Sequence, residues 1–374
     1  MKTNYDLGII GGGLAGLTLA IQLSINGQHV ILFEKNEFPF HKLCGEYLSN
    51  ESIPFLEYLG LDVTSLQPAK INRLELTNAS GKNLTSDLPL GGIGLSRWTL
   101  DHKLYDLAKS QGVTMKEGTF VKSYSGSPGA FEIKTSEEVI TCDHLVSCFG
   151  KKSNLKGINQ SGVEHKNEYV GVKYHVRYPN QPADLVSLHN FKEGYCGVCR
   201  LEKDWVSVCY LSHTSNLTQG LAKMEEQVLF QNARIKEVFQ NCDFVYEKPI
   251  TVSNIHFRKK RLIKDGVFYA GDAAGLITPL SGNGMSMAMQ ASYILGQLLI
   301  KHFQGDISRQ QVYSQYQTKW NNAFKFRMAT GRTIQKLLRK EKNADRLISA
   351  VNAFPFLKKS MISLTHGKPF CSND

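Results

Sequence analysis

Gly11-Gly12-Gly13-Leu14-Ala15-Gly16 constrains the fold of this chain more than any other stretch. Before it, Tyr5 to Ile10 is an apolar run too short for a helix, which predicts a buried strand. After it, Leu17, Ala20, Ile21 and Leu23 recur at helical spacing until Gly27 stops the pattern. His29 to Phe33 predicts a second buried strand, closed by Glu34. Strand, glycine turn, helix and strand within about thirty residues make a βαβ unit.

Each part of that unit has a physical use. Gly11 permits the tight turn, Gly13 lets a pyrophosphate approach the backbone, and Gly16 lets helix and strand pack closely. The helix N-terminus offers unpaired N–H groups and the positive end of its dipole to phosphate. Glu34 stands eighteen residues after Gly16, where it can accept hydroxyl hydrogens from an adenosine ribose. It would repel a 2′-phosphate. The turn by itself does not choose between FAD and NAD.

The rest of the chain alternates between two characters. Arg73 to Thr77, Val113 to Tyr124, Phe131 to Thr135 and Asp143 to Cys148 predict strands, and Thr99 to Gln111 a helix. From Tyr169 to Leu211 apolar and polar residues alternate, with runs at hairpin spacing (Leu185 to Phe191, Tyr195 to Leu201, Trp205 to Leu211). That predicts an antiparallel sheet with two different faces. Leu221 to Gln240 predicts a helix, Val267 to Ala270 a buried strand, and Gly284 to Phe303 a long helix. Beyond Ser308 the chain reads as mostly helical.

At 374 residues, with ~150 per domain, two to three units are expected. The net charge of +11 is uneven: Lys319 to Lys359 holds eleven Lys/Arg against two Asp/Glu. A charge so local argues against a broad nucleic-acid face. Trp320, Phe324, Met328, Gly331, Ile334 and Leu338 fall at helical spacing there, with Lys325, Arg332, Lys336 and Arg339 on another face. Two readings are open: the stripe packs on the protein, or the helix docks reversibly on anionic membrane lipid. No stretch approaches the ~20 apolar residues of a membrane span. The N-terminus lacks a signal-peptide cleavage site, so a cytoplasmic location, with peripheral membrane contact as an option, is expected. The eight cysteines are expected to be reduced. Cys196 and Cys199 form a lone C-x-x-C with no second pair, so no metal site is expected.

Three further segments carry a resemblance. The strand Val267-Phe268-Tyr269-Ala270 runs into Gly271-Asp272, with Pro279, Gly282 and Gly284 before a helix. Ser96-Arg97-Trp98-Thr99-Leu100-Asp101 opens another helix. Phe38 to Ser49 contains Cys44-Gly45-Glu46. Together with the first turn, over roughly residues 5 to 305, they resemble the flavoprotein superfamily of aromatic hydroxylases, FAD-dependent halogenases and geranylgeranyl reductases.

The resemblance implies an α/β fold: a Rossmann-type FAD-binding domain (glutathione reductase-like) with an inserted antiparallel-sheet substrate domain and a helical C-terminal tail. The implied limits are 1–155 for the first FAD-binding part, with a substrate-domain strand near 70–95. The substrate sheet follows at 156–258, the second FAD-binding part at 259–305 and the basic helical region at 306–374. The implied FAD contacts are Gly11, Gly13, Leu14, Ala15 and Gly16 at the turn, with Glu34 and Lys35 at the ribose. Val121 meets adenine through its backbone, and Arg97 and Asp272 lie toward the flavin and its ribityl chain. Cys44, Gly45, Pro279, Gly282 and Gly284 lie along the ring.

Departures from the family pattern shape the expected chemistry. Phe149 stands where aromatic hydroxylases carry an Asp before Gly150, which weakens direct reduction by NADPH. With no second nucleotide-binding turn, NAD(P)H is expected as a visiting donor, helped by Lys151 and Lys152 or with those lysines merely solvated. The tryptophan motif of the halogenases is absent. Glu46 replaces the second glycine of the reductases, and Gly194 to Arg200 replaces their aromatic-rich segment. The leading expectation is a monooxygenase hydroxylating an apolar or phenolic small molecule through a flavin hydroperoxide. Alternatives are a reductase that saturates isoprenoid double bonds and a non-catalytic flavin-binding protein. His175, His189, Tyr195 and Arg200 are candidate polar groups near the substrate, with no catalytic residue or oligomeric state assigned.

Overall fold

The computed structural model describes residues 4–150, 168–275 (apart from 256, 258 and 259), 282–339, 341–354, 356, 358 and 367–371. The chain begins with β1 (Asn4–Ile10), α1 (Leu14–Ser24), β2 (Val30–Phe33), β3 (Tyr47–Ser49) and α2 (Ile53–Tyr58). Then come β4 (Ala69–Thr77), β5 (Asn83–Gly94), α3 (Arg97–Ser110), β6 (Thr114–Lys116), β7 (Ser123–Ser127), β8 (Ala130–Lys134) and β9 (Val139–Ser147). Four longer strands follow: β10 (Tyr169–Arg177), β11 (Leu185–Phe191), β12 (Gly194–Arg200) and β13 (Trp205–His213). The remainder is α4 (Leu221–Gln227), α5 (Ala233–Gln240), β14 (Asp243–Phe244), β15 (Ile250–Ile255), β16 (Ile263–Lys264), β17 (Val267–Tyr269), α6 (Gly284–Phe303), α7 (Arg309–Leu338) and α8 (Glu341–Ala353).

The first sheet has the order β16-β17-β9-β1-β2-β6, with β7 and β8 attached through β9. β17, β9, β1, β2 and β6 run parallel. Parallel strands are covered on both faces, which is why β2 is buried throughout and reads as an unbroken apolar run. Helix α1 is buried over Leu14 to Leu23, packed by α3 and α6 as well as by the sheet. It starts at Leu14, three residues before the helical spacing that begins at Leu17. A helix apolar all round loses the stripe from which its start would be read.

The second sheet has the order β14-β10-β13-β12-β11-β4-β5-β3, with β15 against β10. It is mixed rather than purely antiparallel, since β11 pairs parallel to β4. The chain passes through the first sheet between β5 and β10, so β11 returns by a crossover rather than a hairpin. One face carries Val172, Val176, Val198, Val206, Val208 and Tyr210 and packs on α4 and α5 residues such as Met224 and Ile235. The other face carries Lys173, His175, Tyr195 and Leu211. Tyr195 and Leu211 pack there with Leu338 of α7 and Ile348 of α8.

Two expected elements are broken. Val113 to Tyr124 splits into β6 and β7, because Gly118 takes a left-handed φ of +63°. Leu221 to Gln240 splits into α4 and α5, where the Asn232 side chain accepts from Arg234 N and starts a new helix. In α7 the stripe Trp320, Phe324, Met328, Gly331 and Leu338 is buried, with Ile334 partly so. The stripe therefore packs on the protein, the first of the two readings. A buried ion pair, Arg327 to Glu51 at 2.9 Å, ties α7 to the segment after β3.

Candidate functional site

The glycine turn has no room for side chains where it bends. Gly11 sits at φ +112°, and a Cβ there would lie 2.4 Å from the Cys148 carbonyl oxygen. A Cβ on Gly16 would lie 2.0 Å from the Gly11 oxygen. Gly13 differs: a Cβ there meets nothing within 4 Å, and no side chain caps the α1 N-terminus it precedes. Uncapped N–H groups facing open space suit an anion. Glu34, 7% exposed, accepts from Gly12 N at 2.9 Å through Oε2 and from Asn36 N and Nδ2 at 3.1 and 2.9 Å through Oε1. With about four acceptor sites on a carboxylate, one stays open. Lys35 is exposed and Val121 is buried.

The chain's later glycine-rich turn lies against the first. A Cβ on Gly271 would come 2.9 Å from the Ala15 methyl, and Ser292 Oγ of α6 donates to the Ala15 carbonyl at 2.7 Å. Close packing of Gly271 on Ala15 brings Asp272 beside the first turn of α1, buried over Leu14 to Gly16. Lys260 Nζ donates to the Asp272 carbonyl at 2.7 Å. Gly282, at φ +66°, packs against Tyr47, and Gly284 opens α6, whose N-terminus has no side-chain cap. Pro279 lies outside the described residues, as do Lys151 and Lys152.

The Phe38 to Ser49 segment closes the same region. Lys42 Nζ donates to the Gly12 carbonyl at 2.9 Å and lies 2.8 Å from Asp101 Oδ2. Arg97 donates to the same carboxylate from Nε at 2.6 Å and Nη2 at 2.7 Å. Burial alone would raise the Asp101 pKa, but Arg97 and Lys42 hold it below the usual carboxylate range. Burial pulls the Lys42 pKa down, against the opposing pull of Asp101. Cys44 is partly buried, and Gly45 is exposed with open space at its Cα. Ser96 caps α3, and Glu202 of the second sheet's connection accepts from Ser96 N at 2.9 Å and Thr99 Oγ1 at 2.6 Å.

Next to Cys44-Gly45 lies a cluster that sequence reasoning missed. Glu46 is fully buried, and its carboxylate accepts from Lys173 Nζ, from Arg97 N at 2.8 Å and from His175 Nε2 at 2.6 Å. Burial alone would raise its pKa, but Lys173 and His175 outweigh that and hold it at about 2. His41 stacks on Trp98 and meets His175 and Tyr246 edge-on. Burial, with His175 and Lys173 nearby, lowers the His41 pKa to about 4. The signal available was Glu46 standing where reductases have glycine, but nothing in the sequence named its partners.

The other candidates are dispersed. His189 points to the opposite face, where its Nδ1 pairs with Thr77 Oγ1 at 2.8 Å. Arg200 is spent on the carbonyls of Tyr178, Pro179 and Gln181. Only His175 and Tyr195 share the face toward α7 and the Cys44 segment, and the Tyr195 hydroxyl is buried without a described partner. Cys196 and Cys199 fall on opposite faces of β12, in separate core clusters. Among the described residues, no group of three or more His, Cys, Asp or Glu is arranged to hold a metal ion. Among them, too, no helix is long and apolar enough to cross a membrane.

A parallel sheet, an uncapped helix over a glycine turn, an acidic residue closing β2 and a second turn packed on the first define a dinucleotide-binding protein. The chain belongs to the family described as FAD binding domain, whose pattern matches residues 4–324. It is an FAD-dependent oxidoreductase. A digeranylgeranylglycerophospholipid reductase of Methanococcus vannielii is 26% identical over 349 residues, covering 88% of this chain and 85% of that protein. The flavin-dependent brominase Bmp2 superimposes with a TM-score of 0.79 at 16% identity, over 97% of this chain and 93% of that one. Pseudomonas aeruginosa PqsL, in complex with 2-aminobenzoylacetate, gives 0.73 at 14% identity, over 91% and 98%. These two likenesses establish the fold.

Proposed function

We propose that this chain is a flavin monooxygenase that hydroxylates an apolar or phenolic small molecule. FAD, when bound, supplies the two-electron redox chemistry. Gly13 and the α1 N-terminus hold its pyrophosphate, and the open site on Glu34 takes a ribose hydroxyl, with Lys35 at the solvent side. The Val121 backbone meets adenine, and Asp272 binds the ribityl chain. Arg97 and the α6 N-terminus at Gly282 and Gly284 face the ring, where a positive dipole end stabilises the anionic reduced flavin. Cys44 and Gly45 border the ring closely because neither carries bulk.

The observation that carries hydroxylation over alkene reduction is Glu46. Where the reductase pattern has a glycine, this chain has a buried carboxylate bound to Lys173 and His175. The residue next to Gly45 thus belongs to a buried ion set rather than to an apolar lining, which suits a hydroxylated ring better than an unbroken isoprenoid chain. NAD(P)H is the proposed visiting electron donor.

The test is substrate-dependent NAD(P)H oxidation across phenols, polyketides and prenyl lipids under labelled oxygen gas. A product carrying one labelled oxygen supports the reading. A product that gains two hydrogens and no oxygen, formed without oxygen, establishes the second reading instead. That reading, saturation of isoprenoid double bonds, is favoured by the activity named for the Methanococcus relative. We also propose reversible contact of the exposed basic face of α7 (Lys325, Arg332 and Lys336) with anionic membrane lipid.

A further inference from the structure

We propose that Leu188, Gly197 and Cys209 form the floor of a substrate gap on the second sheet, with Gly197 setting its depth and the Tyr195 hydroxyl anchoring an oxygen of the bound molecule. The inference rests on FAD lying beside Cys44 and Gly45. It narrows the proposed substrate to an uncharged flat ring with an oxygen acceptor at the end remote from the flavin.

The sheet face turned to α7 and the Cys44 segment carries two separate apolar clusters. In one, Val186 and Cys199 pack with Tyr47 and Leu88. In the other, Tyr195 and Leu211 pack with Leu338 of α7 and Ile348 of α8. Between them runs a row of direct cross-strand neighbours, Leu188, Gly197 and Cys209, on β11, β12 and β13. These strands lie in the middle of the sheet, and the residues two positions away on either side are buried, yet all three of the row are partly exposed. The opposite face is sealed at this level, with Val198 and Val208 at most 1% exposed. The opening is therefore on the α7 side. Lys173, next in the row on β10, donates from Nζ to the Lys42 carbonyl at 3.2 Å, so the Cys44 segment crosses the sheet there. Burial, then the neighbouring Glu46 and Cys44, push the Cys199 thiol up, which puts that segment over Cys199 as well. The gap thus runs from the proposed flavin bed at Cys44 and Gly45 to α7.

Glycine in the middle of a strand weakens it, and marks a bulge, a bend or a close approach of something to the backbone. No bulge is present, because the pairing of β12 with β11 and with β13 runs through Gly197 unbroken. No other part of the protein crowds it: a Cβ there would meet nothing nearer than 3.7 Å, at the Cys209 oxygen and Leu188 Cδ2. What remains is a ring lying flat on the bare backbone. The Tyr195 hydroxyl, two residues along β12 on the same face, is buried with no hydrogen-bond partner among the described residues. Burial pushes its pKa up, so it stays protonated and can donate. A buried hydroxyl left unpaired is costly, and an acceptor oxygen on the bound molecule removes that cost. At the other end Lys173 and His175 are both taken up by Glu46, so the gap offers no unpaired charge to its occupant.

The test reads the gap through Cys209 in the FAD-loaded full chain. Benzyl methanethiosulfonate converts a cysteine thiolate to its benzyl mixed disulfide and releases methanesulfinate, and peptide masses show which cysteine reacted. Wild-type Cys209 should label, and the benzyl group should shift the visible absorbance of the bound flavin. In Gly197→Leu the labelling of Cys209 should slow by about tenfold or more, while Cys242, partly buried against the opposite face, keeps its rate. Gly197→Ala has room for its methyl and should slow Cys209 by about threefold, which keeps the comparison if the leucine variant does not fold. Acetophenone, a flat ring with one carbonyl oxygen, should protect Cys209, and Tyr195→Phe should raise the concentration needed by about tenfold. Ethylbenzene, which lacks the oxygen, should not tell the two proteins apart. Cys209 labelling that ignores both Gly197 variants would overturn the floor, and equal protection by acetophenone would overturn the anchor. Labelling gated by Gly197 with no change in flavin absorbance would move FAD away from Cys44 and Gly45, and the inference would fall with that placement. None of these readouts depends on whether the bound molecule is hydroxylated or reduced.

Discussion

Arg97 and Asp101 meet side-on, Nε to Oδ1 at 2.6 Å and Nη2 to Oδ2 at 2.7 Å, one turn apart on α3. The same carboxylate also holds Lys42 at 2.8 Å, and its side chain is only 2% exposed. One anion therefore answers two largely buried cations. Replacing Asp101 by Asn keeps the shape and removes that answer. The expected loss is about 3–5 kcal/mol of unfolding free energy, since breaking a buried pair strands the surviving charge. Urea denaturation of Asp101→Asn checks it. A loss below ~1 kcal/mol would mean that solvent already screens these cations.

Stability should fall with acid in two stages. His144 and His189 are buried, and burial lowers their pKa values to about 4 and about 3. The unfolded imidazole titrates near ~6.5, so below that pH the unfolded chain binds protons that the folded chain refuses. Their contribution is complete above ~6.5 and is lost as pH falls toward 4 and 3. Glu46, at about 2 folded, and Asp101, also lowered, act further down. Their contribution is complete above ~4.3 and fades below it. Melting curves from pH 8 to pH 4 should show the first stage. His189→Asn, which keeps a polar group toward Thr77, should flatten it.

Gly13 and Gly16 are three residues apart and should respond to the same methyl in opposite ways. At Gly16 a Cβ would strike the Gly11 carbonyl oxygen at 2.0 Å, so Gly16→Ala should destabilise by about 1–3 kcal/mol or more. At Gly13 a Cβ meets nothing, so Gly13→Ala should fold with near-normal stability. Its methyl would stand where the pyrophosphate is proposed to lie, and FAD affinity should drop about tenfold or more. Flavin content by absorbance, together with thermal melts, separates the two effects. Equal flavin retention in Gly13→Ala would move the phosphates elsewhere.

What was legible in the sequence was local. Gly11 to Gly16, β1, β2 and Glu34 form one continuous stretch whose partners are near in sequence, so spacing alone describes it. Val172, Tyr174 and Val176 declared that β10 has two faces, but alternation is blind to what covers each face. His175 and His189 were equivalent candidates on that basis. Only the packing separates them, His175 turned to Glu46 and His189 to Thr77. The Glu46 cluster was out of reach because its members lie 127 and 129 positions apart. A buried ion set between two sheets leaves no periodic trace. The break between α4 and α5 escaped for a smaller reason: Asn232 reads as a tolerated helix residue until its side chain is seen capping Arg234.

The apolar stripe of α7 is consumed by packing, so an amphipathic helix lying in a bilayer is no longer the form membrane contact would take. What remains exposed is charge: Lys325, Arg332 and Lys336 along α7, with Phe326 62% exposed among them. Phe354 and Phe356, at 53% and 64%, add apolar surface beyond α8. Attraction of that kind is electrostatic, worth about 1 kcal/mol per basic residue at an anionic surface, and fades within a Debye length of ~8 Å in physiological salt. The full chain should co-sediment with vesicles containing phosphatidylserine at low salt and release as salt rises. Lys325→Glu with Arg332→Glu should weaken binding by roughly tenfold or more, while leaving the buried stripe and the fold intact. Binding that ignores both lipid charge and salt would reject the contact. It would assign the basic face to solvation alone.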